Sequence, residues 1–278
     1  MSVFEKSRAI SHAVHQAGGR ALIVGGWVRD RLLKRPSKDL DLEVYGVSAD
    51  QLRQLLSTFG QVNTVGQSFA VFKIDSIDVS LPRRESKTTA GHRGFEVVGD
   101  PNLPIEDAFR RRDFTINAIG WDPLTDEYVD PFHGRDDLTR GLLRAVDERT
   151  FGDDSLRVLR AIQLAARFEY KLDPPTAVIC RATKLNDLPA ERVWGEFEKL
   201  LILAMRPSLG FWLALEIGVI EQLFPELQAL VGCPQEPEWH PEGDVWKHTL
   251  LVIDEARRRI EGLSRPCQLA IMLAAVCH

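Results

Sequence analysis

The sequence predicts an α+β fold, a small mixed sheet with flanking helices followed by an all-α region, and three observations carry that reading. Short apolar or alternating segments separated by turn residues fill the first half of the chain. Beyond Phe151 the apolar residues recur with helical periodicity instead. Prolines then fall between the helical runs, at Pro174-Pro175, Pro189, Pro207 and Pro225, as terminators do.

Taken in order, the N-terminal MSVFEKSRAISHAVHQAGGRA reads as an amphipathic helix without the long apolar centre of a secretory signal. RALIVG is a strand, and Gly25-Gly26 turns it into a short helical run, WVRDRLL, stopped by Pro36. DLDLEVYG is a second strand. FAVFKI and SIDVSL alternate, with a hairpin turn at Asp75-Ser76 between them. Four helical stretches follow: SLRVLRAIQLAARF, AERVWGEFEKLLILAM, FWLALEIGVIEQLF and WKHTLLVIDEARRRI. The expected division is a catalytic head over 1–145, a helical portion over 146–230 and a further helical segment over 231–278.

A chain of 278 residues buries about two domain cores without disulfides or structural metals. No apolar run is long enough to span a bilayer, so no membrane role and a cytoplasmic location are expected. Cys180, Cys233, Cys267 and Cys277 show neither paired metal spacing nor the density of a disulfide scaffold. The net charge of −5 argues against indiscriminate nucleic-acid binding. It confines RNA contacts to two basic patches, Arg83, Arg84, Lys87, His92 and Arg93, then Arg110, Arg111 and Arg112. Composition leaves the oligomeric state open.

In DLDLEV the acids alternate with Leu40, Leu42 and Val44, so a strand puts Asp39, Asp41 and Glu43 on one face. Crowded like charges repel, and a Mg²⁺ ion with oxygen ligands relieves the repulsion. A solvated acidic face would read the same way if DLD stood alone. Upstream, however, Gly25 and Gly26 open a helix carrying Arg29, an arrangement that lets backbone N–H groups and a guanidinium approach phosphate. Two metals about 3.5–4 Å apart would then activate a hydroxyl and stabilise a leaving pyrophosphate. Asp78 in SIDVSL is the candidate third carboxylate. Glu43, about 13 Å along the strand from Asp39, is expected to be structural.

LIVGGWVRDRLL with KDLDLEVYG, then RRRDFTINAIGWD, DDSLRVLRAIQLAARF and ERVWGEFEKLL, resemble the ordered motifs of the class II CCA-adding enzyme and bacterial poly(A) polymerase family. The resemblance spans roughly residues 20–202 and implies a polymerase-β-like head followed by a helical neck and body. It implies addition of CCA to the tRNA 3′ end from CTP and ATP, with poly(A), CC-only or A-only addition as alternatives. It also implies that Asp39 and Asp41 hold two Mg²⁺ ions, that Gly26 and Arg29 contact the nucleotide, and that Arg112, Asp113 and Asn117 bind ribose and phosphates. RRESKTTAGHRGFEVV, residues 83–98, occupies the place of the flexible loop that A addition needs.

The chemistry of these residues is consistent with those roles. Arginine offers a phosphate fork, aspartate accepts from a ribose hydroxyl, and asparagine does either, although a charge cluster making salt bridges has the same composition. Asp154, Arg157 and Arg160 recur every third residue, so successive members lie within about one helical turn of each other. Cytosine and adenine each present an amino donor beside a ring-nitrogen acceptor, which a carboxylate and a guanidinium match. An intrahelical salt bridge is the alternative reading of that spacing. Ser155 stands where the family often has proline and Gln163 where it commonly has arginine, which bears on how this helix is propped. Glu191, Arg192 and Glu196 are expected to support it.

WHPEGDVWKHT and the final LAAVCH resemble the start of an HD phosphohydrolase domain, which implies His248 and His278 as ligands of a second, incomplete metal site. An HD-type metal phosphohydrolase with a vestigial head is therefore the rival reading from another class of activity.

Overall fold

The computed structural model describes residues 2–37, 39–64, 71–87 and 95–278. They form two compact units, Met1–Arg140 with Arg144–Asp147, and Gly141–Leu143 with Glu148–His278. Among the described residues no helix is long and apolar enough to cross a membrane.

The first unit runs α1 (Val3–Gln16), β1 (Arg20–Val24), α2 (Gly26–Leu32), β2 (Leu40–Tyr45), α3 (Ala49–Ser57), β3 (Asn63–Thr64), β4 (Val71–Ile74), β5 (Ile77–Ser80), β6 (Arg83–Lys87), β7 (Phe95–Gly99), α4 (Ile105–Arg110), β8 (Gly120–Trp121), β9 (Tyr128–Val129) and α5 (Gly134–Arg140). The N-terminal helix starts in a capping box: the Ser2 hydroxyl accepts from the Glu5 N–H while the Glu5 carboxylate accepts from the Ser2 N–H. Seven strands form one mixed sheet in the order β3-β4-β5-β2-β1-β8-β9, and β6 pairs with β7 as a separate hairpin. Strands β4 and β5 turn back on each other around Asp75, as the alternating sequence predicts.

Strand β2 is antiparallel to β1 and parallel to β5. Its Leu40, Leu42 and Val44 are buried on one face, which leaves Asp41, Glu43 and Tyr45 on the other. On that second face Tyr45 joins Leu22, Val24, Phe109 and Ala118 in one apolar cluster. Phe109 of α4 lies against Gly120, where a Cβ would meet its ring at 2.9 Å.

The second unit pairs β10 (Leu142–Leu143) in parallel with β11 (Lys171–Leu172) beside α6 (Leu156–Phe168). It continues through α7 (Pro174–Ala182), α8 (Ala190–Leu203), α9 (Pro207–Glu216), α10 (Val219–Leu223), α11 (Pro225–Gln228), α12 (Val245–Arg259) and α13 (Arg265–Val276). Residues 231–278, expected as a further helical segment, lie within the second unit. There the Trp246 ring of α12 packs edge-on against Phe211 and Trp212 of α9 at centroid distances of 6.3 and 6.1 Å.

Candidate active site

Parallel pairing sets Asp41 of β2 directly opposite Asp78 of β5, so two carboxylates from strands far apart in sequence share one face. Asp39 sits one residue before β2, exposed, while Asp41 is partly buried. The Asp41 carboxyl is held above its ordinary range chiefly by burial, against the pull of Arg112, and further by Asp78, Asp39 and Glu43. That is the electrostatic state of a cluster with surplus negative charge, and the oxygen donors suit a hard divalent cation. Asp78 also has Lys73 at 3.6 Å. The three aspartates do not bring one oxygen each within 4.8 Å of the others in this arrangement.

The Gly25-Gly26 turn lies at this cluster. Gly25 has φ +73° and ψ −140°, a conformation that side chains disfavour, and a Cβ there would lie 3.2 Å from Arg112 Nη1 and 3.7 Å from an Asp41 oxygen. Arg29, expected to grip phosphate, points into the protein and is 5% exposed. Its Nε and Nη2 donate to Asp30 Oδ1 at 2.8 and 2.7 Å, and its Nη1 donates to Asn117 Oδ1 at 2.7 Å. Asn117 Nδ2 donates in turn to Asp113 Oδ1 at 3.0 Å, which also accepts from the Phe114 N–H at 2.7 Å. A buried chain of hydrogen bonds thus fixes α2 to the RRRDFTIN segment. Asp30, unassigned from sequence, anchors it; the signal was an adjacent Arg-Asp pair in a helix too apolar to leave either solvated.

The run Arg110–Arg112 does not form one basic patch. Arg110 pairs with Glu106 at 2.6 Å, whereas Arg111 and Arg112 turn inward to Glu43 at 3.0 and 3.3 Å. Glu43, 1% exposed, also accepts from the Tyr45 hydroxyl at 2.5 Å, and burial pushes that hydroxyl well above its usual range. Glu43 therefore ties both arginines to the strand that carries Asp41. In the other expected patch Arg84 pairs with Asp100 at 2.9 Å. His92 and Arg93 lie outside the described residues, as does the 88–94 part of the expected loop.

In the second unit α6 begins at Leu156, later than the even spacing of Asp154, Arg157 and Arg160 implies. Asp154 is extended and its Oδ1 accepts from the Leu156 N–H at 3.2 Å. Arg157 donates to the Thr150 carbonyl at 3.2 Å and stands over the Phe151 ring at 5.8 Å. Arg160 follows one turn on, and all three are partly exposed. Ser155 bonds Asp187 at 2.8 Å, a prop that sequence could not show. Glu196 is buried and pairs with Lys199 at 2.8 Å, and Gln163 is buried with no partner for its Nε2.

His248, on α12, meets two loop residues that sequence reasoning passed over, His240 and Glu242. Their signal was the spacing His-x-Glu-x5-His. The His278 ring lies 5.4 Å from that of His248.

Residues 21–144 match the model of the poly A polymerase head domain, and residues 173–230 match that of the probable RNA and SrmB-binding site of polymerase A. The multifunctional CCA protein of Laribacter hongkongensis is 38% identical over 265 residues, covering 93% of this chain and 62% of that protein. Its counterpart from Actinobacillus pleuropneumoniae is 39% identical over 92% of this chain and 62% of that one. The chain thus spans about 62% of the length of these curated relatives. The Thermotoga maritima CCA-adding enzyme complexed with tRNA superposes with a TM-score of 0.70 at 22% identity, over 96% of this chain and 61% of that one, a likeness of fold. The chain thus carries, in order, a region similar to the poly A polymerase head domain over the carboxylate strand and the Gly-Gly turn, and one similar to the RNA-binding region of polymerase A over the helices that follow.

Proposed function

We propose that this chain adds CCA to the 3′ end of tRNA, using CTP and ATP and releasing pyrophosphate. The observation that carries the reading is Asp41 opposite Asp78, beside a Gly-Gly turn that Arg112 approaches within 3.2 Å of the Gly25 Cβ position. Multifunctional CCA proteins among the relatives supply the substrate class.

In this reading Asp39 and Asp41 hold Mg²⁺, with Asp78 alongside. Bound there, two Mg²⁺ ions would lower the energy of the attacking 3′-oxygen and of the leaving pyrophosphate. The RNA 3′-hydroxyl forms the new bond to the α-phosphorus as the bond to the pyrophosphate oxygen breaks. Gly25 and Gly26 let the backbone approach the triphosphate. Arg112, oriented by Glu43, supplies a guanidinium to the phosphates. Arg29 acts at one remove, holding Asn117 and through it Asp113, which we assign to the ribose. Asp154 and Arg157, with Arg160, read the base edge. The reading implies a cytoplasmic protein, because tRNA, CTP and ATP are found together there.

Incubating the protein with tRNA lacking its CCA, single nucleotides and Mg²⁺ tests the proposal: C, C and A should be added in order and extension should then stop. A run of A would favour poly(A) polymerase, and no addition would reject the activity. Base reading is tested by Asp154→Ala and Arg157→Ala. Since a bidentate base contact contributes about 1–3 kcal/mol, preference for CTP and ATP over UTP and GTP should fall about 5-fold to 150-fold. An exposed ion pair contributes only about 0–1 kcal/mol of stability and no specificity. A lower melting temperature with wild-type nucleotide preference would make the pair structural.

A further inference from the structure

Helix α2 is seven residues long, and its N-cap, Gly25, offers no side-chain hydrogen bond to the first turn. So short a helix without a side-chain cap does not hold itself in place, and its position is set by what packs on it. On one side that is the hydrogen-bond chain from Arg29 through Asn117 to Asp113. On another it is a triangle of aromatic rings. Trp27, the residue after Gly26, stacks on Phe4 of α1 with centroids 6.0 Å apart and planes inclined by 3°, and on Trp121 of β8 at 5.7 Å and 21°. Phe4 and Trp121 in turn stack at 5.7 Å and 19°. The two flanking rings are themselves held. The capping box of α1 fixes the turn that carries Phe4. Trp121 is 3% exposed, its Nε1 donates to Asp126 Oδ1 at 2.9 Å, and the Arg31 guanidinium lies 4.1 Å from its ring centroid. Trp121 pairs with Ile23 and Ile23 with Leu42, so the strand member of the triangle stands on the face of the sheet opposite Asp41.

We propose that Phe4, Trp27 and Trp121 hold the Gly25-Gly26 turn in position for the triphosphate, which makes Trp27 and Phe4 positioning residues for nucleotide binding and α1 a support of the nucleotide site. The role rests on the proposed reading of that turn as a phosphate contact. Gly25 holds φ +73° and ψ −140°, and a glycine is free to leave that conformation at little cost. The restraint comes from the residues after it: the Trp27 ring is trapped between two flat, anchored partners. Without that ring α2 is fixed through Arg29 alone and can rock about it, carrying the backbone N–H groups of the turn with it. A displacement of about 1 Å at a remote support can cost up to about 100-fold. The turn meets the phosphates before and during transfer alike, so its displacement weakens ground-state and transition-state binding equally, which raises KM and leaves kcat in place.

Calorimetric titration of the whole chain with CTP, alongside steady-state addition to tRNA lacking its CCA, tests the role in Trp27→Ala, Trp27→Phe and Phe4→Ala, each well below its melting temperature. Trp27→Ala should bind CTP at least about 10-fold more weakly and raise the KM for CTP to match, with kcat within about threefold of the parent and the KM for tRNA unchanged. Trp27→Phe, which keeps a flat ring in the triangle, should recover most of the affinity. Phe4→Ala should show the same split in smaller measure, and it carries the expectation by itself should Trp27→Ala fail to fold. Parental CTP affinity in Trp27→Ala and Phe4→Ala, whatever their melting temperatures, would overturn the role. So would an equal rise in KM for tRNA and for CTP, the signature of a general loosening. A parent that binds CTP but extends no tRNA would count against the proposed function alone, and the weaker CTP binding of the variants would still support the positioning role.

Discussion

If the proposed two-metal reading holds, Asp41→Asn should lose nucleotide addition by about 1,000-fold or more while the protein stays folded, because the substitution would remove an oxygen ligand of metals that lower the barrier by several kcal/mol. The fold should not suffer. The Asp41 carboxyl is held above its ordinary range by burial and by Asp78, Asp39 and Glu43, so its charged form is disfavoured in the folded state relative to the unfolded one. An amide of the same shape removes that penalty, and the melting temperature should hold or rise slightly. Asp39→Asn, exposed and just outside β2, should cost activity with no change in melting. Addition to CCA-less tRNA within tenfold of wild type in either variant would rule out the two-metal assignment.

Gly134→Ala should be the most damaging small substitution in the first unit. A Cβ at Gly134 would lie 2.1 Å from the Thr115 carbonyl oxygen and 2.7 Å from its carbon, both backbone atoms. The segment cannot yield easily: the Thr115 hydroxyl donates to Asp137 at 2.6 Å, and Arg144 holds the same carboxylate at 2.8 Å. Overpacking of this kind costs about 3 kcal/mol or more. At roughly 2–4 °C per kcal/mol the melting temperature should fall by about 6–12 °C. Thr115 opens the turn that carries Asn117, which the proposed reading places beside the nucleotide, so on that reading nucleotide affinity should drop even well below the melting range. Wild-type melting and nucleotide KM in this variant would show that the turn can shift without consequence.

The elements with strong local signals were legible in the sequence. Alternation in DLDLEV put Leu40, Leu42 and Val44 on one buried face of β2 but did not show that Glu43 and Tyr45 on the other face are buried as well, and the Asp75-Ser76 turn marked the β4–β5 hairpin. Alternation alone says nothing of which strand lies next door, so the register that puts Asp78 opposite Asp41 had to come from the fold. The direction of individual long side chains was likewise out of reach. Arg29 bonds Asn117, 88 positions away, and Arg111 bonds Glu43, 68 positions away. Glu43 was read as structural from its distance along the strand, but its hold on two arginines was not. At α6 the even spacing of Asp154, Arg157 and Arg160 suggested three helical residues, whereas Ser155 is the N-cap, the helix begins at Leu156 and Asp154 lies before both.

The inward tether of Arg112 to Glu43 separates two responses to ionic strength. Counterions act on charges they can reach, with a Debye length near 10 Å in about 0.1 M salt, and they screen interior pairs far less. The Glu43 side chain is 1% exposed and that of Arg112 is 16% exposed, so added KCl leaves the guanidinium where it is. Contacts with an RNA backbone, in contrast, weaken steeply with salt, because counterions released into a more concentrated solution contribute less to binding. With tRNA and CTP as the proposed substrates, a salt series should therefore raise the KM for tRNA many-fold while that for CTP changes little, so that polymer affinity is adjusted with the proposed nucleotide pocket left alone.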